Sequence, residues 1–335
     1  MQTTVYVDRA CDILYSSYYI YGLKKIFGKV KFSGKFFSQF KHNNTFVPVV
    51  VKTGKNLTKL VFDFGDSYVI DEAAMDWCDA YGKININPEK TDLSKYPKLV
   101  SVGPGFAIRL YSKAGTALRA VFNYLLTNKR VPDKRRFFAD YYAQMNRQYL
   151  SYYQKKETTG DYIFFAGALW KKEEQTNQYR ANYIRACKNV DGVKFEGGFA
   201  PRSRNDIPGY DDLTMEEKVP MSDYLTKIKD SAVVFNTPVI LDCHGWKLGE
   251  FMALGKAMIA TPIKNLLPVP LEHGKNVHFI NGNENEVFDA VKKLTSDHSY
   301  RHQIENNIKE YFNAHVTPER SVEIVCEKAG VSSGK

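Results

Sequence analysis

Residues 231–280, SAVVFNTPVILDCHGWKLGEFMALGKAMIATPIKNLLPVPLEHGKNVHFI, decide the fold. Two apolar segments, 232–235 and 257–260, flank a helical pattern at 248–254 that ends at a glycine. A strand, a helix and a second strand in succession form a β-α-β unit, which is typical of parallel sheets that have helices on both faces. This stretch therefore predicts an α/β fold with a Rossmann-like sheet.

The same alternation of strand and helix patterns runs through the rest of the chain. In the second half, further strand patterns lie at 162–165, 193–195 and 277–280, and helical patterns at 174–187, 224–229, 284–294 and 300–312. In the first half, strand patterns lie at 5–7, 46–52, 60–64, 83–86 and 99–102, and helical patterns at 13–26, 71–81 and 133–156. The polar run 155–161 between the halves predicts a linker, so two Rossmann-like domains of similar size are expected.

Length and composition favour a globular protein of two domains. The chain has 335 residues, 44% of them hydrophobic, and a formal net charge of +10. Its cysteines form no C-x-x-C pair, which argues against a zinc ribbon or a disulfide framework, so a reducing compartment is expected. Neither a signal-peptide pattern nor a run of about 20 apolar residues is present. The basic excess suits a phosphorylated substrate or an anionic membrane surface, or it only keeps the protein soluble. No zinc-finger, KH or RNP motif points to nucleic acid.

Two acidic residues in the opening stretch are spaced to grip a sugar nucleotide. Asp242 and Glu250 are separated by seven residues, and the glycines between them prevent one continuous helix. The loop 244–247 runs into a helix N-terminus, where free backbone N–H groups and Lys247 form a diphosphate cradle. Carboxylates accept hydrogen bonds from vicinal hydroxyls, so an acid on each side of this cradle suits a ribose and a sugar. The alternative for Glu250 is an ordinary acid in the first turn of a helix, where it interacts with the macrodipole.

This stretch resembles the C-terminal domain of GT-B glycosyltransferases of the group 1 type, which carry an E-x7-E motif. Here the motif is Asp242-x7-Glu250, followed by FMALGKAMIATP and then by LEHGKNVHFI. The resemblance implies two Rossmann-like domains that face each other across a cleft. It places an acceptor-binding domain at 1–155 and a nucleotide-sugar-binding domain at 156–312, with 313–335 returning to the first domain. It assigns Glu250 to the ribose and Asp242 to the donor sugar, although Asp242 is one methylene shorter than the family's glutamate.

Other side chains near the motif are candidates for donor contacts. Those in the loop, in the first helical turn and at the end of the preceding strand are His244, Gly245, Trp246, Lys247, Leu248 and Asn236. The family also places a diphosphate-binding cation after the first strand of this domain, where Lys171, Lys172 and Arg180 are available. Trp246 is equally well a buried core aromatic, and His244 a loop residue that caps the backbone. The lysines fit a solvated helix face as well.

Acidic residues at strand ends of the first half are candidates for the acceptor site. Asp8 follows the first strand, and Asp63 and Asp66 lie in the segment VFDFGDS. Carboxylates at the carboxyl ends of strands face a ligand crevice, so Asp8 or Asp66 is a candidate catalytic base for the acceptor hydroxyl. Asp63 fits turn chemistry better. The loop 103–106 is a further candidate to line the cleft, and the tyrosine-rich helix 13–26 is either interfacial or, more simply, a core helix.

The resemblance implies a hexosyltransferase that moves a sugar from a UDP- or GDP-linked donor to a saccharide or polyprenyl-linked acceptor. The implied pathway is bacterial surface-polysaccharide biosynthesis, such as capsule, O-antigen or exopolysaccharide. Retention of anomeric configuration is expected, without a metal ion or another cofactor, because cations and helix N-termini neutralise the leaving diphosphate. A cytoplasmic location is expected, with peripheral attachment to the inner face of the cell membrane. Two alternatives stay open: a non-catalytic GT-B-like protein that binds a glycan or a nucleotide, and a GT-B-fold epimerase.

Overall fold

The computed structural model describes residues 3–156, 158, 160–202 and 206–331. The chain divides into two compact units, and each contains a β-sheet packed against helices, which confirms the predicted α/β class. Unit 1 is formed by three segments: Met1–Tyr153, Asn265–Val269 and Ala314–Lys335. Unit 2 is formed by two: Gln154–Lys264 and Pro270–Asn313. In the predicted linker, residues 157 and 159 lie outside the described residues.

The sheet of unit 1 has six strands and is mixed. Its strands are β1 (Thr3–Asp8), β2 (Val30–Ser33), β3 (Phe46–Thr53), β4 (Asn56–Asp63), β5 (Ala80–Lys83) and β6 (Leu99–Ser101), in the order β2-β1-β3-β4-β5-β6. Strand β3 is antiparallel to both β1 and β4, and the other neighbours are parallel. The prediction of a parallel sheet is therefore wrong at β3. The reason is the two-residue turn between β3 and β4, where Gly54 has a φ of 61° that suits a tight hairpin.

The helices of unit 1 before the second unit are α1 (Ile13–Phe27), α2 (Glu72–Trp77), α3 (Lys113–Thr127) and α4 (Lys134–Met145). Three differ from the sequence prediction. The helix predicted at 71–81 ends at Trp77, because the following residues join the sheet as β5 instead of forming a strand at 83–86. The helix predicted at 133–156 ends at Met145, where the Asn146 N–H bonds back to carbonyls of the last turn. Helix α3 was not predicted.

Helix α1 belongs to the core of unit 1. Its Tyr18 and Tyr19 are fully buried, and the Tyr19 ring stacks on Phe62 of β4 with centroids 4.9 Å apart. Burying an aromatic side chain of this size contributes about 1.5–3 kcal/mol or more to stability. The simpler interpretation of the tyrosine-rich helix, a core helix, is therefore the correct one.

The strands described in unit 2 form two parallel sheets, one of two strands and one of three. They are β7 (Tyr162–Gly167), β8 (Lys194–Phe199), β9 (Val233–Asn236), β10 (Ala257–Ala260) and β11 (His278–Phe279). The pairs β7-β8, β9-β10 and β10-β11 are parallel, and the Ala232 N–H donates to the Tyr162 carbonyl at 2.7 Å beside β7 and β9. This bond places the two-stranded sheet beside the three-stranded one, in the order β8-β7-β9-β10-β11. In doubly wound sheets of this kind, ligands bind at the carboxyl ends of the strands.

In the described part of the chain, five helices lie against these strands, and a sixth helix follows them in the sequence. They are α5 (Glu174–Asn189), α6 (Met221–Asp230), α7 (Trp246–Leu254), α8 (Glu284–Ser296), α9 (His298–Tyr311) and α10 (Pro318–Lys328). Helix α10 packs on α1 within unit 1: the Tyr18 hydroxyl donates to the Val316 carbonyl at 2.7 Å, and a Cβ added at Gly22 would lie 2.2 Å from the Pro318 oxygen. In the described part of the chain, no helix combines the length and apolarity that crossing a bilayer requires.

Candidate functional site

Three elements of unit 2 meet at the carboxyl-end edge of its sheet. Strand β7 ends at Gly167, strand β9 ends at Asn236, and helix α7 begins at Trp246. Side chains connect these ends: the Lys247 ammonium donates to the Ala166 carbonyl, and the Arg180 guanidinium, carried by α5, donates to Thr237. These contacts bring loop, strand and helix ends into one site.

Arg180 is a buried cation whose partners are neutral. Its Nη1 donates to the Ala168 carbonyl at 2.7 Å, and its Nε donates to the Thr237 hydroxyl at 3.1 Å. Among the described residues, no carboxylate lies within ion-pair distance of it. Burial lowers the pKa of Arg180 to about 10. A guanidinium that is short of both water and a carboxylate is well suited to bind an anion.

Lys247 lies beside Arg180 in the first turn of α7. Burial, together with the charge of Arg180, lowers the pKa of Lys247 to about 7 against the opposite effect of Glu250. The ammonium also lies 5.5 Å from the ring centroids of Phe165 and Tyr224. Two neighbouring cations in a poorly hydrated place repel each other, so an anion bound between them is stabilised by both.

The backbone at the start of α7 adds to this positive field. Gly245 is the N-cap residue, with φ −75° and ψ 161°, and a Cβ there would lie 2.8 Å from the side chain of Val239. Glycine therefore allows the loop to approach closely. The N–H groups of a first helical turn have no partner within their own helix and favour negative charge. A helix N-terminus with Lys247 in its first turn therefore lies where the sequence predicts the cradle, and the Leu248 N–H of that turn donates to the Gly245 carbonyl.

The two acids of the motif lie at either side of this helix start. Asp242 is half-buried and accepts hydrogen bonds from the Lys264 ammonium at 3.1 and 3.3 Å. It follows Leu241, and both residues have positive φ, 56° and 62°. Such a conformation costs about 1–3 kcal/mol per residue, and strain of this kind concentrates at functional sites.

Glu250 is buried in α7. The sequence placed it in the first turn of a helix beginning at 248, but α7 begins at Trp246, so Glu250 lies in the second turn. The interaction of an acid with the helix macrodipole decreases beyond the first turn. The position of Glu250 in the second turn therefore argues against the alternative in which it only interacts with the macrodipole.

The remaining donor candidates divide into those at this edge and those away from it. His244 and Asn236 are buried beside the loop and at the end of β9, and Trp246 is half-buried. Leu248 has a fully buried side chain in the core, and its N–H donates to the Gly245 carbonyl at 3.1 Å. Lys171 is exposed and pairs with Asp206 at 3.8 Å, as expected of a solvated face, and Lys172 is also exposed.

Two of the candidate acids in unit 1 are buried in ion pairs. Asp8 binds the Arg130 guanidinium at 2.6 and 2.9 Å, and burial raises the pKa of Asp8 against the effect of that partner. Asp63 accepts from the Lys83 ammonium at 2.8 Å and from the Tyr81 hydroxyl at 2.6 Å. These contacts give both carboxylates a structural role.

Asp66 and the glycine-rich loop of unit 1 have opposite environments. Asp66 is exposed in the turn after β4. The loop 103–106 is buried, with Gly103 against Val316 and Gly105 against Tyr18. Its glycines are therefore explained by close packing inside unit 1.

Sequence reasoning missed one member of the site and assigned no contact to another. Thr237 follows Asn236 at a strand end that is expected at the ligand-binding edge, but no contact was assigned to it, and its hydroxyl accepts a hydrogen bond from Arg180. Lys264 was missed because nothing in its local sequence points to Asp242, which precedes it by 22 residues. Within the described residues, no group of three or more His, Cys, Asp and Glu side chains is arranged to hold a metal ion.

Comparisons with known proteins give distant similarities. No protein-family model matches the chain, and no curated protein sequence matches it. The C-terminal domain of a group 1 family glycosyl transferase (LpcC) from Francisella tularensis is similar with a TM-score of 0.36 and 16% identity, over 49% of this chain and 96% of that one. Alr3699/HepE from Anabaena, solved with UDP-glucose, has a TM-score of 0.40 and 10% identity, over 80% and 98%. A glycosyltransferase from Rickettsia africae has a TM-score of 0.43 and 11% identity, over 79% and 69%. At such values these similarities carry no argument, and the fold rests on the strand order described above.

Proposed function

We propose that this protein is a glycosyltransferase of the hexosyltransferase type, which moves a sugar from a UDP- or GDP-linked donor to a saccharide or polyprenyl-linked acceptor. The observation that carries the proposal is a pair of cations at the carboxyl ends of β7 and β9: Arg180, which is buried, and Lys247, which is partly buried. Their hydrogen-bond partners are backbone carbonyls and a hydroxyl, so a diphosphate bound beside them is stabilised by both charges.

The cations and the helix start have distinct tasks in this proposal. Arg180 offers a planar fork to phosphate oxygens, whereas Lys247 offers a point charge. The N-terminus of α7 directs N–H groups at the same diphosphate. As the glycosidic bond breaks, negative charge grows on the leaving diphosphate, and groups already oriented towards it stabilise the transition state. Neutralisation without a metal ion is part of this proposal.

The acids bind the two ends of the donor. Glu250 accepts hydrogen bonds from the ribose hydroxyls, and Asp242 accepts them from the sugar. Asp242 stands on strained backbone beside Lys264, which supports a functional role for its position.

The acceptor side is assigned to unit 1. Asp66 is the better candidate for an acceptor base, since it is exposed, whereas Asp8 is held in a buried ion pair with Arg130. Retention of configuration, a role in surface-polysaccharide biosynthesis and attachment to the inner face of the cell membrane complete the proposal. They rest on the resemblance seen in the sequence.

A binding experiment with matched variants tests the donor site. A panel of UDP- and GDP-sugars is screened by thermal shift, and a ligand present at 100 times its dissociation constant should add about 2.7 kcal/mol of stability. Glu250→Gln should make the free energy of donor binding less favourable by about 1.5–3 kcal/mol, because a charge-assisted hydrogen bond is lost while the shape of the side chain is kept. Glu174→Gln, at an exposed acid in the first turn of α5, is the control and should leave affinity unchanged.

The outcomes separate the proposal from its alternatives. If Glu250→Gln binds the donor as tightly as the wild type in calorimetry, Glu250 does not belong to the site. Donor binding without turnover on any saccharide would favour the non-catalytic binding protein. A nucleotide-sugar epimer as the product would favour the epimerase.

A further inference from the structure

Helix α3 exposes its apolar side chains and buries its polar ones. Five large apolar residues each have more than half of their surface exposed, and Leu118 reaches 73%: Leu118, Val121, Phe122, Leu125 and Leu126. We call them the α3 apolar face. The buried residues of the same helix are Thr116, Ala120, Asn123 and Thr127. A surface helix of a soluble domain shows the opposite arrangement.

Polar contacts fix the helix in this orientation. The Asn123 amide donates to the Tyr141 hydroxyl of α4 at 2.8 Å, and the Thr116 hydroxyl donates to the Gln144 side chain at 3.4 Å. Both contacts are buried. Rotating α3 to bury its leucines would break them and would leave buried polar atoms without partners, which is costly. The sequence therefore specifies an exposed apolar face, and a contiguous face of this kind marks a surface that binds something.

The surroundings of this face are basic and aromatic. The Arg9 guanidinium lies 5.4 Å from the Phe122 ring centroid, the Lys134 ammonium lies 5.5 Å from that of Tyr124, and Arg119 lies 4.4 Å from that of Tyr111. Residues 113–136 contain seven basic residues and one acidic residue. Apolar side chains bordered by cations and amphipathic rings are typical of segments that lie in a membrane interface.

The positive charge around the α3 apolar face indicates what kind of molecule binds there. A second copy of this chain, placed against the face by a two-fold axis, would bring its own basic residues against these, and like charges disfavour that contact. An anionic lipid surface instead attracts those that are exposed, by about 1 kcal/mol for each Lys or Arg close to it, whereas Arg130 is held by Asp8. The chain as a whole carries a net charge of +10, which acts in the same direction.

We propose that the α3 apolar face inserts into the interfacial region of an anionic lipid bilayer, with α3 parallel to the membrane plane. The helix has 15 residues and is about 22 Å long. Its apolar side chains enter the boundary between headgroups and acyl chains while the basic residues contact lipid phosphates. This inference specifies the surface for the membrane attachment included in the proposed function. It uses none of the donor-site residues.

Vesicle sedimentation tests the inference with the full chain. Wild-type protein should sediment with vesicles of equal parts phosphatidylcholine and phosphatidylglycerol and remain in solution with phosphatidylcholine alone. The triple variant Leu118→Ser, Phe122→Ser and Leu125→Ser should lose at least about tenfold in its partition coefficient, since each exposed apolar side chain contributes to insertion. Val69→Ser, at an exposed valine elsewhere in unit 1, is the matched control and should bind as the wild type does.

Three results would overturn the inference. The first is a wild-type protein that does not bind anionic vesicles, and the second is a triple variant that binds them as well as the wild type does. The third is a wild-type protein that binds no vesicles and is a dimer in analytical ultracentrifugation, while the triple variant is a monomer, which would assign the face to a second copy. UDP- and GDP-sugar affinity is measured on the same variant. It should be unchanged, so failure of the membrane inference is distinguishable from failure of the donor site.

Discussion

The role proposed for Lys247 predicts that donor binding depends on pH. Its ammonium is charged below its pKa of about 7 and neutral above it, so its attraction for a diphosphate is lost as the pH rises. Donor affinity should fall by about tenfold for each pH unit above 7, until the higher pKa of the bound state is reached. Calorimetric titration with UDP-glucose checks this, because both phosphates are esterified and the ligand charge stays constant over the range.

Two variants make the assignment to Lys247 specific. Lys247→Arg stays charged and should give a flat pH profile, and Lys247→Met should bind weakly at every pH. The Lys247→Met protein should also gain stability relative to wild type at acidic pH. The native state disfavours the charged lysine, and that penalty is full below the native pKa of about 7 and decreases as the pH rises from there towards the ordinary pKa of 10.5. A wild-type affinity that does not change between about pH 6 and pH 8.5 would contradict the placement of Lys247 at the diphosphate.

The part of the candidate site that lies on one short segment was predictable from the sequence. Gly245, Lys247 and Glu250 occur within six residues, so the helical period and the loop glycine place them together. Arg180 was one of three cations available after β7, and only the packing of α5 separates it from Lys171. Contacts such as Arg180 with Thr237 join residues far apart in sequence, so they become visible only once the sheet order is known.

Close packing of α10 against β5 explains a glycine that the sequence misplaced. Gly82 directly follows the helix predicted at 71–81, but it lies within β5, and a Cβ there would be 2.4 Å from the Val325 side chain. Gly82→Ala should therefore destabilise the protein by about 1–3 kcal/mol through overpacking. Urea unfolding of the variant measures this as a lower midpoint with an unchanged slope.

A substitution at Val325 distinguishes overpacking of the side chains from an effect of Gly82→Ala on the backbone. Val325→Ala alone should destabilise by leaving a cavity, but in the Gly82→Ala background it should relieve the clash and restore part of the stability. Additive losses in the double variant would show that the two residues do not compete for the same space.

Elements with one strong local pattern were predicted well, and those decided by distant partners were not. In unit 2, β10 has the predicted bounds, and α7 differs only at its start, because an apolar strand or helix between glycines is a local signal. Strand β3 was assigned to a parallel sheet, since its apolar run does not reveal a hairpin partner. Helix α3 was missed, and its periodicity alone would have placed its leucines inside.

At the scale of the whole molecule, segments that follow one another in the chain belong to different compact units. Asn265–Val269 lies within the stretch that decided the fold, yet it belongs to unit 1. There the Leu266 N–H donates to the Ile86 carbonyl at 2.8 Å, and the Ser101 hydroxyl donates to the Leu266 carbonyl at 3.0 Å. Nothing in the composition of TPIKNLLPVP marks this change of unit, because it depends on hydrogen bonds to Ile86 and Ser101, which lie far earlier in the chain.

The central claim is that the site around Asp242 and Glu250 turns over a nucleotide-sugar, and release of nucleoside diphosphate from a UDP- or GDP-sugar in the presence of saccharide acceptors measures it most directly. The account predicts that wild-type protein releases the diphosphate and transfers the sugar. It also predicts that Asp242→Asn lowers turnover by about tenfold to a hundredfold, because a charge-assisted hydrogen bond to the sugar is lost. The affinity of Asp242→Asn for the free nucleoside diphosphate should be nearly unchanged. Equal loss of turnover and of nucleoside-diphosphate affinity would contradict the role of Asp242, and a wild-type protein that turns over no nucleotide-sugar would contradict the account itself.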